Sequence, residues 1–224
     1  MAKLADCWKG CLDVAGRAGI AKDNAVRADN GKPDNAIQAA RHRKTNEFYD
    51  DRHGFMLQLK DEVIAFKRKA ERIGLKPCIR LNGTSDIRFE NIPLCGFANI
   101  FEMFSEVQFY DYTKIPNRKN IPENYHLSIS YSEASKKYAA VSRSAAIRQS
   151  RSLVVVVRDD QQKTDLIQNG LAGMYSRTVV DGDLHDLRFL DPVGAVVVLK
   201  AKGKAKKDQG GFVIDYTSDK AIAA

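Results

Sequence analysis

Leu153-Val154-Val155-Val156-Val157 is an unbroken apolar run, and four of its five residues are β-branched valines. A strand with one wet face alternates apolar and polar residues. A short continuous run is instead the pattern of a strand covered on both faces, as in the middle of a parallel sheet. Working outward from it, the chain alternates strand and helix patterns. Upstream, Ser132 is the expected cap of a helix to about Gln149, with Glu133 in its first turn, and Tyr125–Ser130 and Val107–Tyr112 read as strands. A helix pattern spans residues 93–105, with Phe97, Ile100, Phe101 and Phe104 inward, and Pro77–Leu81 is a short strand before it. Downstream, Asp165–Asn169 closes a short helix, Tyr175–Val180 and Ala195–Leu199 are strands, and Phe212–Ile214 reads as a last edge strand.

Before the strands come two helix patterns. Asp34 caps one that runs to about Phe48. In the other, Met56, Leu59, Val63, Phe66, Ala70 and Ile73 step by three and four, and Gly74 is the expected stop. Strands alternating with helices imply a mostly parallel sheet with right-handed crossovers. The expected fold is α/β: a partial barrel of the TIM type or an open doubly wound sheet, because five or six strands are too few to close an eight-stranded barrel. The chain reads as a single domain over residues 1–224. Residues 1–34 form an irregular arm carrying Cys7 and Cys11, and residues 203–224 form a Lys-rich tail expected to be less ordered.

A chain of 224 residues buries roughly 70% of its unfolded surface and needs no covalent staples. No apolar run approaches the roughly 20 residues of a membrane helix, and no apolar stretch follows Lys3 as in a secretory signal. The expected location is therefore the cytoplasm, with no membrane partner. There, Cys7, Cys11, Cys78 and Cys95 read as thiols, metal ligands or buried residues rather than disulfides. The net charge of +8 favours an anionic partner, such as a nucleotide, a phosphorylated substrate or nucleic acid, although charge also serves solubility alone.

In parallel α/β folds ligands bind at the carboxyl ends of the strands. Those ends are polar here. The candidates for substrate binding are Asn82, Ser85, Lys114 and Lys202, and the candidate catalytic carboxylates are Asp86, Asp181 and Asp183. Asn82 and Ser85 supply hydrogen bonds, the lysines offset negative charge, and the carboxylates handle protons or hold a divalent metal. Asp181, Asp183, His185 and Asp186 have the donor types of a hard-cation site, or serve simply as an acidic turn. Lys200, Lys202, Lys204, Lys206 and Lys207 surround Gly203 after a strand, a composition suited either to cradling phosphates or to a solvated tail. Cys7 and Cys11, spaced C-x3-C, are candidate metal ligands with His185. Basic faces at Arg41–Lys44 and Lys67–Arg72 support a rival reading, a nucleic-acid-binding protein without chemistry. No P-loop, nucleophile elbow or G-x-G-x-x-G occurs.

Five stretches also carry a family resemblance. They are Cys-x3-Cys-Leu with a following Gly-Arg (Cys7 to Arg17), Ala-Arg-x-Arg-Lys-Thr (Ala40–Thr45), Arg-Leu-Asn-Gly-Thr-Ser-Asp (Arg80–Asp86), Tyr-Thr-Lys (Tyr112–Lys114) and Val-Asp-Gly-Asp…Asp-Pro (Val180–Pro192). In this order they resemble the phage family named after gene product 88, which implies a phage or prophage origin and leaves the activity open. The reading it leaves is a phage-encoded enzyme on an anionic substrate, a nucleic-acid-binding protein, or a factor acting on a host protein. A looser likeness is to radical-SAM-type partial barrels. It implies an iron–sulfur cluster with S-adenosylmethionine on a C-x3-C-x2-C motif, of which Cys7 and Cys11 match the first two positions and Val14 stands at the third.

Overall fold

The computed structural model describes residues 4–6, 36–174 and 176–216. Cys7, Cys11, Tyr175 and most of the N-terminal arm lie outside the described residues. The first two helices are α1 (Ala36–Asp50) and α2 (Arg52–Arg72). They are separated at Asp51, whose carboxylate accepts from Gly54 N and caps α2. Of the apolar stripe on α2, Met56, Val63 and Ala70 are buried, whereas Phe66 and Ile73 stay exposed. Gly74 ends the helix at φ 71°, a conformation that costs other residues more.

Seven strands follow: β1 (Cys78–Ile79), β2 (Gln108–Thr113), β3 (Tyr125–Ser130), β4 (Leu153–Val157), β5 (Val179–Asp181), β6 (Val196–Lys200) and β7 (Val213–Ile214). All pairs are parallel, and the order is β1-β2-β3-β4-β6-β5 in a sheet that stays open. The expected α/β fold thus takes its open form. Every residue of β4 is buried, as the valine run requires. One edge of β4 is shared. Leu153 and Val154 pair with Ile129 and Ser130 of β3, and Val156 and Val157 pair with Val213 and Ile214 of β7. The last strand therefore fills the place where β3 stops, rather than lying at an edge of the sheet.

Three helices lie on one face: α3 (Ile100–Met103), α4 (Lys136–Arg148) and α5 (Asp160–Asn169). Phe101 stacks on Tyr125 at 4.1 Å, while Ala139, Ala145, Ala146 and Leu166 pack over Leu153, Val155, Val157, Val196 and Val198. The connections β5–β6 and β6–β7 run the opposite way along the sheet. They cover the other face, with Ala205 on Val156 and Val213 and with Phe189 on Tyr110. Opposite directions on opposite faces are what right-handed crossovers produce.

Three local expectations are corrected. The helix expected over 93–105 shortens to Ile100–Met103, because Cys95 (φ 49°) and Gly96 (φ 87°) form a tight turn closed by Leu94 and Phe97, and Phe97 is exposed. The cap of α4 is Ser135, whose Oγ accepts from Tyr138 N. Ser132 is instead buried, its hydroxyl 2.7 Å from the Ala5 carbonyl and 3.1 Å from that of Gly211. The Lys-rich stretch after β6 is a 3-10 helix, Gly203–Lys207, with Ala205 buried beneath it.

Candidate functional site

The polar residues at the carboxyl ends of the strands form two separate networks. The first is built on Arg80–Asp86. Asn82 follows β1 and is buried. Its backbone N and its amide donate to both carboxylate oxygens of Asp111 (2.9 and 3.1 Å), and the amide also donates to the Ile87 carbonyl. Its Oδ1 accepts from Ser85 Oγ and Ile87 N, both at 2.8 Å. Both amide hydrogens and the carbonyl oxygen are thereby occupied within the protein. Asp86 is equally engaged. It accepts from Thr113 Oγ1 (2.8 Å), Lys114 N (2.7 Å) and Arg118 Nη1 (3.1 Å). The fully buried Arg118 also grips Glu90 with Nε and Nη2, and it stays charged: burial works against its charge, and Glu90, Tyr125 and Asp86 more than offset that.

Beneath this network, burial pushes the Asp111 carboxyl up to about 6, against hydrogen bonds from Asn82 and Tyr125 and the charge of Arg80. Lys114 leaves the end of β2 and crosses that of β3. Its Nζ donates to the carbonyls of Ser130 and Tyr131 and lies 4.7 Å from the Phe212 ring centroid.

The second network sits where β4, β5 and β6 end. Lys163, one turn into α5, lies 2.9 Å from Asp181 and 3.5 Å from Asp183. Asp183 also accepts from the backbone N of Lys200 and lies 2.9 Å from Lys202 Nζ. Burial pushes the Asp183 carboxyl up, but Lys202, the Lys200 N–H and Lys163 outweigh it and hold the group below its ordinary value. Lys200 bridges to Asp160 at the start of α5. Arg158 Nη1 and Nη2 donate to the carbonyls of Lys206 and Asp208, tying down the 3-10 turn that displays Lys204, Lys206 and Lys207. Arg158 also pairs with Asp215. Among the described residues, no hydrogen bond or ion pair joins Asp181 or Asp183 to Asp86 or Asn82.

These strand ends form a topological switch point. From β4 the chain leaves to the helical face through α5, and from β6 it leaves to the opposite face through the 3-10 turn. A switch point of this kind is the usual ligand position in open α/β sheets.

The acidic stretch after β5 does not converge as a metal site. Asp181 and Asp183 turn to Lys163. His185 Nε2 is 3.7 Å from Asp191, and its Nδ1 is 3.2 Å from Arg188. Asp186 binds the Tyr112 hydroxyl (2.7 Å) and Arg80 (3.1 Å) on the far side of the sheet. The segment spreads because it crosses the sheet from β5 toward β2. Among the described residues, no group of three or more His, Cys, Asp or Glu is placed to hold a metal ion. The proposed partners of His185, Cys7 and Cys11, lie outside those residues. On the basic faces of the first helices, Arg43 pairs with Glu47 and Lys67 with Glu71 and Glu106.

Sequence reading missed Lys163 and the buried Arg188, and it did not foresee that Arg118 is buried. For Lys163 a signal existed: it lies four residues after Asp159, the N-cap of α5, so it had to fall near the strand ends. Arg118 and Arg188 carry no local mark, because their partners are distant in sequence or lie on an irregular crossover.

No described helix is long and apolar enough to cross a membrane. No curated protein and no solved structure matches the chain. The family model for Gene product 88 matches residues 5–216, and the chain belongs to that phage gene product family.

Proposed function

We propose that this phage protein binds a phosphorylated small molecule, of the nucleotide class, in the crevice between the carboxyl ends of β4 and β6. The observation that carries the reading is the lysine-rich turn at the switch point. Lys200 and Lys202 reach the crevice from β6, Lys204, Lys206 and Lys207 extend it, and Arg158 and the buried Ala205 fix the turn in place. Lys202 and Lys200 are partly exposed and held by single carboxylates, so a phosphate group can take them over by exchanging ion pairs. Lys163 is more enclosed and keeps Asp181 and Asp183 in place. Asp183, held ionised, accepts a hydrogen bond from a ligand hydroxyl, and Asp181 and Asp183 are the proton acceptors if the ligand reacts. Asn82, Ser85 and Asp86 act through the loop they hold and through the placement of Lys114. A nucleotide ligand is consistent with action in the host cytoplasm.

The test is calorimetric titration with a panel of nucleoside mono-, di- and triphosphates. The wild type binds at least one, and Lys200→Ala with Lys202→Ala weakens it about tenfold or more, since charge-assisted contacts to phosphate are worth roughly 1.5–3 kcal/mol. Unchanged affinity in the double variant contradicts the reading. An iron–sulfur centre on Cys7 and Cys11 is a separate claim, decided by iron and acid-labile sulfide after anaerobic purification.

A further inference from the structure

The opposite edge of the sheet, where the strands begin, has a different electrostatic character. Parts of three segments meet there, within residues 114–122, 134–157 and 170–180; none of these ranges contains Asp or Glu, and Glu123 follows the first. Gln149 Nε2 donates to the Pro116 carbonyl, Arg148 to Asn117 Oδ1, Arg151 Nη2 to the Arg118 carbonyl, and Arg177 Nη2 to the Ile147 carbonyl. Four cations, Lys119, Arg148, Arg151 and Arg177, are thus gathered on interlocked loops. None of them has a carboxylate partner among the described residues. The local cause is the end of α4. Ser150 adopts the left-handed conformation (φ 50°), and Arg151 N closes back on the Ala146 carbonyl, which turns the chain sharply and aims Arg151 along the edge.

Beside these cations lies a cavity of about 290 Å³, lined by Gln108, Glu123, His126, Ser150, Arg151 and Phe189 among others. Two lining side chains carry buried polar atoms that no group among the described residues satisfies, His126 Nε2 and Arg151 Nη1. Burial, together with the charges of Arg188 and Arg151, holds the His126 imidazole below its ordinary pKa despite Asp191, so near neutral pH it offers a neutral ring nitrogen. Phe189 supplies an aromatic wall.

We propose that this edge is a second site, which takes single-stranded nucleic acid with its phosphates on Lys119, Arg148, Arg151 and Arg177 and an unpaired base in the cavity beside Phe189 and His126. Arginine forks and an aromatic-walled recess are the parts such binding uses. A base held within a duplex cannot enter the recess. An anionic membrane fits less well, since it leaves the recess and its unsatisfied polar atoms unused, though Ile147 and Val193 are exposed near by. The site is independent of the crevice at the other end of the strands.

The experiment is fluorescence anisotropy with a labelled mixed-sequence single strand of about 12 nucleotides, between about 50 and 200 mM salt. The protein binds the single strand more tightly than the same sequence as a duplex. Lys119→Glu with Arg148→Glu weakens binding about tenfold or more and flattens the log-affinity against log-salt slope by about 1–2. Arg68→Glu with Lys69→Glu, the same charge change on the exposed face of α2, alters affinity less than about twofold. His126→Ala weakens binding severalfold and leaves the salt slope unchanged, because it removes a base contact and not a phosphate contact. Circular dichroism checks that each variant folds. Equal losses in the two double variants, no binding at the lowest salt, or binding to phosphatidylserine vesicles without binding to the oligonucleotide each overturn the proposal.

Discussion

The two polar networks at the carboxyl edge use the same residue types and differ in how fully their members are occupied. Asn82 and Asp86 spend their side-chain groups within the protein, and the central pair is sealed: the Arg118 side chain is 0% exposed and that of Glu90 1%. Around Asp183, the partners are lysines that still reach solvent, with Lys202 64% exposed. A buried saturated network holds loops in place and has little left to offer a ligand. A half-open network of exchangeable ion pairs can trade a carboxylate for a phosphate. Polarity at a strand end therefore marks either scaffold or site, and only the count of satisfied atoms separates them.

The contrast is sharpest at Arg118. Arg118→Ala leaves Glu90 and Asp86 charged and without their main partner, and breaking a buried pair in this way costs about 3–5 kcal/mol. Urea denaturation measures it, and a loss below about 1 kcal/mol breaks the scaffold half of the comparison. Gly182→Ala comes next. Its Cβ would stand 2.5 Å from Val197 Cγ1 and 2.8 Å from Arg188 Nη1, both buried, so a cost of about 1–3 kcal/mol is expected in the same assay.

Asp111 gives a pH signature. Its folded pKa, about 6, lies above its ordinary value of 3.8, so the folded state binds the extra proton between those values. Stability from this group is fully present below about pH 4 and is lost as the pH rises through 6, an effect of about 3 kcal/mol. Asp111→Asn removes that slope from the pH dependence of unfolding. An unchanged slope between pH 4 and 6 contradicts the assignment. The smallest stability effect belongs to the other network: Lys202→Ala changes unfolding free energy by less than about 1 kcal/mol, as for an exposed ion pair, while weakening the phosphorylated ligand. A large stability loss there makes the second network scaffold too.

The fold class could be read from the sequence because the evidence for it is local. The valine run of β4 and the alternation of β2 and β3 carry their own signal. Strand order was out of reach, since β6 inserts between β4 and β5 through pairings of residues some 40 positions apart, such as Leu153 with Val196. The same holds for the site. The polarity of Asn82, Asp86, Asp181 and Asp183 is visible along the chain. That Asn82 spends its groups on Asp111, 29 residues away, is visible only in space. Asp181, Asp183, His185 and Asp186 looked like one cluster because they are close in sequence, yet the crossover that carries them scatters their side chains among Lys163, Arg188 and Arg80.

The most direct test of the account is a titration of the 15N-labelled protein with ATP and the other nucleotides of the panel, followed by amide chemical shifts. The account predicts that the resonances of Arg158, Lys163, Lys200, Lys202 and Gly203 move together and saturate, while those of Asn82–Ile87 stay nearly still. Shifts centred on Asn82–Ile87, or none with any nucleotide of the panel at millimolar concentration, would contradict it.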